Sequence, residues 1–186
     1  MAWIREIDEQ DARGELAEVY ESVIGSRGKL ANILKVHSLN PGALRTHVEM
    51  YMHLMFARSP LSRAEREAIG VAVSAANRCD YCVNHHAEAL RRYDRDEARV
   101  GQIMRGEGFD ELTPRLGAML EYVTRLTTAP HALTEADIRS LREAGGLTDE
   151  EILDAALVAA YFNFVNRLAL GLGVAFSAEE VKGYDV

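Results

Sequence analysis

The stretch Cys79-Asp80-Tyr81-Cys82-Val83-Asn84-His85-His86 carries the only two cysteines of the chain, three residues apart, with a histidine four residues after the second. On a helix, positions three and four apart share a face. Cys79, Cys82 and His86 then form one stripe of two thiols and an imidazole. Thiol redox chemistry needs those parts: a nucleophilic sulfur, a second sulfur to resolve it, and a proton acceptor.

A thiol reacts as its thiolate, and an unperturbed cysteine has a pKa of about 8.5. Unpaired N–H groups and the dipole at a helix start favour the anion. Asn77-Arg78 ahead of Cys79 predicts such a start, with Asn77 as the cap and both cysteines in the first turns. Asp80 opposes the anion unless it points to solvent. His86, one turn beyond Cys82, is placed to accept the Cys82 proton. His85 is rotated about 100° from His86 and is an auxiliary candidate. Glu67 is the last charged residue before a small apolar run, 68–73. It reads either as a half-buried carboxylate completing a Glu–His–Cys relay or as one more member of a solvated Arg63, Glu65, Arg66 cluster.

The chemistry expected of these groups is peroxide reduction. Cys82 thiolate attacks a peroxide oxygen, and Cys79 condenses with the resulting sulfenic acid to give a disulfide and water. A dithiol reopens the disulfide by exchange. Cys79, nearer the helix tip, is the sulfur expected to meet that reductant. Two rival readings use the same residues. In a thiol–disulfide oxidoreductase or redox sensor the partner is a protein. In a structural zinc domain Cys79, Cys82 and His86 are ligands, with Glu67, His53 or His85 as a fourth, although no second ligand pair exists. Two inert buried cysteines are the bland reading. Covalent haem attachment is excluded because Val83, not histidine, follows Cys82.

The elements that must hold these groups read as helices. Ala, Leu, Glu and Arg dominate, and long Val/Ile/Thr alternation is missing. Caps and breakers predict helices over 15–24 (ended by Gly25), 40–58, 62–77, 80–93, 96–105, 113–127 and 134–144. A last long helix starts at Thr148. The expectation is one all-α domain over 1–186, and no βαβ pattern supports a thioredoxin fold. Leu61-Ser62, Glu65 and Asn77 match Leu147-Thr148, Glu151 and Asn163 at a constant offset. This faint repeat suggests an active half at about 40–110 and a degenerate half at about 113–180. In the second half Glu67, Cys79, Cys82 and His86 become Leu153, Val165, Leu168 and Leu172, all apolar.

Composition sets outer limits. The chain has 186 residues, 48% hydrophobic and 27% charged, which suits a globular domain. A formal charge of −8 argues against non-specific binding to nucleic acid or to an anionic membrane surface. No uninterrupted apolar run reaches the roughly 18 residues of a membrane span. The longest apolar segment, 155–176, contains Asn163, Asn166 and Arg167. Charges near the N-terminus do not fit a signal peptide, so a cytoplasmic location is expected. His37, His47 and His53 read as surface or satisfied structural residues. Met50, Met52, Met55 and Phe56 read as packing or a subunit interface, and Tyr161, Phe162, Phe164 and Val165 as core.

The combined spacing Glu67, Cys79, Cys82, His86 resembles the alkylhydroperoxidase AhpD-like proteins of the carboxymuconolactone decarboxylase superfamily. The segments 30–34, Asn40-Pro41 and 161–167 are similar to its uncharacterised peroxidase-related branch. The resemblance covers nearly the whole chain. It implies an all-helical fold with repeated halves, no metal and no organic cofactor. It also implies a proton relay of Glu67, Cys79, Cys82 and His86 with Cys82 peroxidatic. Further implications are a lipoyl- or thioredoxin-type dithiol as reductant and a homo-oligomer, trimer or hexamer. AhpD members carry a histidine between the cysteines where Tyr81 stands here, a departure that bears on both the relay and the reductant. Decarboxylase members lack the cysteine pair, which disfavours decarboxylation.

Overall fold

The computed structural model describes residues 2–181, and among them all regular structure is helical. The α-helices are α1 (Glu15–Arg27), α2 (Asn32–Lys35), α3 (Pro41–Phe56), α4 (Arg63–Ala76), α5 (Asp80–Leu90), α6 (Glu97–Arg105), α7 (Pro114–Thr128), α8 (Glu135–Glu143), α9 (Asp149–Gly171) and α10 (Ala178–Val181). Three 3-10 turns, Glu9–Asp11, Phe109–Glu111 and Pro130–Ala132, link them.

Most helix starts follow directly from side chains that satisfy the first free N–H groups. Asn40 accepts from the Ala43 N–H at 3.1 Å, with Pro41 at the first helical position of α3. Ser62 with Glu65, Thr134 with Asp137, and Thr148 with Glu151 form reciprocal capping boxes. Arg115 of α7 joins two of these boxes, lying 2.6 Å from Glu65 and 2.7 Å from Glu151.

Some expected boundaries shift. Helix α1 runs past Gly25 to Arg27, because Gly25 sits in open space, while Gly28 supplies the left-handed stop at φ 76°. Helix α5 ends at Leu90, followed by a turn over 91–93. The short helices α2 and α10 carry too few residues to show a period in the sequence.

Helix α4 is the centre of the fold, packing against α5, α6, α7 and α9. Every residue from Arg66 to Ser74 is buried, so α4 has no solvent face over that stretch. Gly70 allows the closest approach: a Cβ there would stand 2.6 Å from the Phe162 ring of α9. A smaller apolar cluster of Leu16, Val19, Tyr20, Val23 and Leu44 ties α1 to α3.

The two segments of the faint repeat share their capping box and then diverge. The first is interrupted at 77–79, where Arg78 takes φ 56°, whereas α9 continues unbroken for 23 residues. Helix α9 is long and apolar enough to cross a membrane by length and composition, yet half of its apolar window is buried inside the protein. Phe164, expected in the core, is 45% exposed on its outer face.

Candidate active site

The break between α4 and α5 builds the site. Asn77 ends α4 and does not cap α5, as its position had suggested; Cys79 occupies the cap position of α5. Freed from capping, the Asn77 amide donates to Asn163 Oδ1 at 3.0 Å and Asn166 Oδ1 at 2.9 Å, pinning the break to α9. The Cys79 N–H donates to the Ser74 carbonyl at 2.8 Å, which sets where α5 begins. Both cysteines therefore lie at the opening of one helix, as free thiols.

Glu67 is completely buried, so the solvated-cluster reading of this residue does not hold. One carboxylate oxygen accepts from His86 Nδ1 at 2.7 Å, and the other lies 2.6 Å from Arg63 Nη2. Arg63 is held in turn by the Met55 carbonyl and by the Phe56 ring, 3.7 Å below its guanidinium. Burial pushes the Glu67 carboxyl up, but His86 and Arg63 together outweigh it and hold it below the ordinary carboxylate value. With Nδ1 committed to Glu67, Nε2 is the His86 nitrogen left for chemistry. Phe162 packs against the edge of the imidazole, ring centroids 4.5 Å apart, and fixes its plane.

The two thiols titrate as a pair. The Cys79 thiol is lowered to about 7, chiefly by the neighbouring Cys82 thiol, against burial and with help from the Cys82 N–H. The Cys82 thiol is raised, because it shares the remaining proton with Cys79 and is buried; Asn166 and Ser74 act in the opposite direction and favour its anion. Asn166 is itself fully buried and donates to Ser74 Oγ at 3.1 Å. The first proton thus leaves near neutrality and the second is held.

A cavity of about 100 Å³ leads to this pair, and its walls include Cys82 and His86 but not Cys79. Both sulfurs are almost fully buried, and the cavity reaches Cys82 rather than Cys79, whose place at the helix tip had suggested access there. Tyr81 and His85 also line the cavity and stack on each other at 4.2 Å. Both ring nitrogens of His85 are engaged: Nδ1 with the Tyr81 carbonyl at 2.7 Å, and Nε2 at 2.6 Å from Glu180 of α10. Tyr81 accepts from the Ile33 N–H and donates to Glu180 Oε1 at 2.9 Å.

The opposite wall comes from helices far away in the chain. His47 of α3 meets Tyr161 Oη of α9 at 2.8 Å and His37 Nε2 at 3.1 Å, while His37 Nδ1 meets the Ile33 carbonyl at 3.0 Å. Burial lowers the His47 pKa to about 3, so it is neutral. His47, Tyr51, Tyr161 and Arg27 were not singled out as site residues by the sequence. Asn166 was legible as a polar residue inside an apolar helix, without its role. Among the described residues no group of three or more His, Cys, Asp or Glu is arranged to hold a metal ion.

A model of the carboxymuconolactone decarboxylase family matches residues 41–125. A solved uncharacterized peroxidase-related protein from Silicibacter sp. TM1040 is 32% identical, with a TM-score of 0.79 over 90% of this chain and 87% of that one. The chain belongs to the carboxymuconolactone decarboxylase family, in its AhpD-like, peroxidase-related branch. A second AhpD-like structure, the alkylhydroperoxidase AhpD core from Ralstonia eutropha JMP134, also described as an uncharacterized peroxidase-related protein, is 29% identical. It reaches a TM-score of 0.85 over 97% of this chain and 94% of that one. The uncharacterized protein YdfG of Bacillus subtilis (strain 168) is 25% identical over 127 residues, 68% of this chain and 85% of that protein. The all-helical AhpD-like fold expected from the sequence is the fold observed.

Proposed function

We propose that this AhpD-like protein is a thiol-dependent peroxidase that reduces hydrogen peroxide or small organic hydroperoxides at Cys82. The observation that carries the reading is a cavity ending at Cys82 and His86, with a second thiol and a buried carboxylate directly behind them.

The cysteine pair loses its first proton near pH 7, and His86 takes it up. The remaining proton lies between the sulfurs, and its transfer to Cys79 places the anion on Cys82, where Asn166 and Ser74 support it. Cys82 thiolate attacks the terminal oxygen of a hydroperoxide and the O–O bond breaks. The sulfur becomes a sulfenic acid, and the alkoxide leaves with a proton delivered by His86, whose orientation Glu67 fixes. Cys79 then attacks the Cys82 sulfur, its proton leaving with the hydroxyl group as water. The sum is dithiol plus hydroperoxide giving disulfide, alcohol and water.

A lipoyl- or thioredoxin-type dithiol is the proposed reductant. Its thiolate reaches Cys82 through the cavity and releases Cys79. Leu153, Leu157 and Phe164 form an exposed apolar stripe along α9, which supports the proposal that copies of the chain assemble through this helix.

Peroxide consumption under a series of dithiol donors tests the reading. Multiple turnovers with at least one donor, lost in Cys82→Ser, are the expected result. A wild-type protein that consumes no peroxide with any donor, or a Cys82→Ser protein that keeps the full rate, would overturn it.

A further inference from the structure

The described lining of the cavity includes three basic residues, Arg27, Lys29 and Arg92. Lys29 has carbonyl partners in Glu179 and Glu180. Arg27 differs. No described carboxylate lies within ion-pair distance of it, and its Nη1 is buried with no acceptor. A charged donor taken out of water without an acceptor is costly, and native chains place such a group where something else completes it.

The group is also held in place. Its guanidinium lies 4.6 Å from the Phe56 ring and 5.2 Å from the Tyr51 ring, and Nη2 donates to Tyr51 Oη at 3.3 Å. Two aromatic faces and one hydrogen bond fix the fork, while Nη1 remains uncommitted. The same walls carry the apolar side chains of Ile33, Leu34, Phe162 and Val165. The volume, about 100 Å³, suits a ligand of a few carbons.

We propose that the cavity takes a small organic hydroperoxide bearing a carboxylate, anchored by Arg27 with its peroxide end at Cys82. The proposal rests on the thiol-peroxidase reading for the reacting end only; the anchor stands on the orphaned Nη1 of Arg27 and on the aromatic faces that hold its fork in the cavity wall. A carboxylate accepting from Nη1 forms a charge-assisted hydrogen bond in a dry site, and its gain over a neutral isostere is about tenfold or more in affinity.

Two ligand pairs of matched shape test it. The first is unreactive: 2-hydroxy-2-methylpropanoate against tert-butanol, measured by calorimetry on the reduced protein. The carboxylate binds at least about tenfold tighter to wild type, and that preference disappears in Arg27→Gln and partly returns in Arg27→Lys. The second pair is 2-hydroperoxy-2-methylpropanoate against tert-butyl hydroperoxide. The ratio of their kcat/KM values favours the carboxylate in wild type, through KM, and collapses toward one in Arg27→Gln. Turnover of both peroxides at equal efficiency, with no calorimetric preference, overturns the anchor and leaves the peroxidase reading standing. Turnover of neither peroxide, with the calorimetric preference intact, overturns the peroxidase reading and leaves the anchor standing. A preference that survives unchanged in Arg27→Gln overturns the assignment to Arg27.

Discussion

Replacing Cys82 with alanine should raise the Cys79 pKa, because the Cys82 thiol is the largest cause of its lowering to about 7. At pH 7 a thiol of that pKa is about half ionised, against about 3% for an unperturbed cysteine of pKa about 8.5, a gap of roughly fifteenfold in reactive anion. Each pKa unit corresponds to about 1.4 kcal/mol, so the shift is worth about 2–3 kcal/mol. One hydrogen bond donated to a charged group is worth about 1.5–3 kcal/mol, so a single S–H donor is sufficient to account for it. Cys82→Ala removes that donor and leaves burial opposed only by the weaker backbone N–H of residue 82 and by His85, so the midpoint rises toward about 8.5. Cys82→Ser keeps an O–H at the same place and holds the midpoint close to the wild-type value. The assay is thiolate absorbance near 240 nm as a function of pH, on reduced protein, with a Cys79→Ala control to identify the sulfur. A Cys82→Ala midpoint that stays near 7 would refute the argument, since the helix start alone would then account for the anion.

Two further substitutions probe the support of the site. Glu67 is ionised, buried and paired with both Arg63 and His86. Glu67→Gln leaves Arg63 without its counter-charge and should cost about 3–5 kcal/mol in denaturant unfolding at neutral pH. Because the folded carboxyl sits below its unfolded value, its stabilisation is complete above about pH 4.3 and is lost as pH falls through the lower folded value. Unfolding of Glu67→Gln followed against pH should therefore show a flatter acid limb than wild type; an unchanged limb would place the acid sensitivity elsewhere. Gly70→Ala sets a methyl 2.6 Å from Phe162, the ring that fixes the plane of His86. It should lose about 1–3 kcal/mol by overpacking and slow peroxide turnover more than it weakens substrate binding, which steady-state kcat and KM separate.

The thiol stripe and its partners were legible in the sequence because they are local or nearly so. Cys79, Cys82 and His86 sit on one helix at helical spacings, and Glu67 lies one helix earlier at the edge of a small-residue run. Helix starts were legible for the same reason, since Asn40, Ser62, Thr134 and Thr148 act within four residues of themselves. Asn77 was misread because a cap residue and a C-terminal residue look alike in a helix–break–helix sequence. Its three-dimensional partners, Asn163 and Asn166, are more than eighty residues away. The cavity wall opposite Cys82 had no local signal at all: Arg27, His47, Tyr51 and Tyr161 belong to α1, α3 and α9 and meet only through packing. The order of access to the two sulfurs was hidden for a related reason, since seclusion depends on what packs over a helix start rather than on the start itself.

The central claim is that Cys82 is the sulfur oxidised by peroxide. Reduced Cys79→Ser protein treated with one equivalent of hydroperoxide and a sulfenic-acid trap, then analysed by peptide mass spectrometry, tests it most directly. The account predicts a stoichiometric adduct on Cys82, and no comparable adduct on Cys79 in the reciprocal Cys82→Ser protein. A trapped sulfenic acid on Cys79 at the wild-type rate, with Cys82 left unmodified, would contradict it.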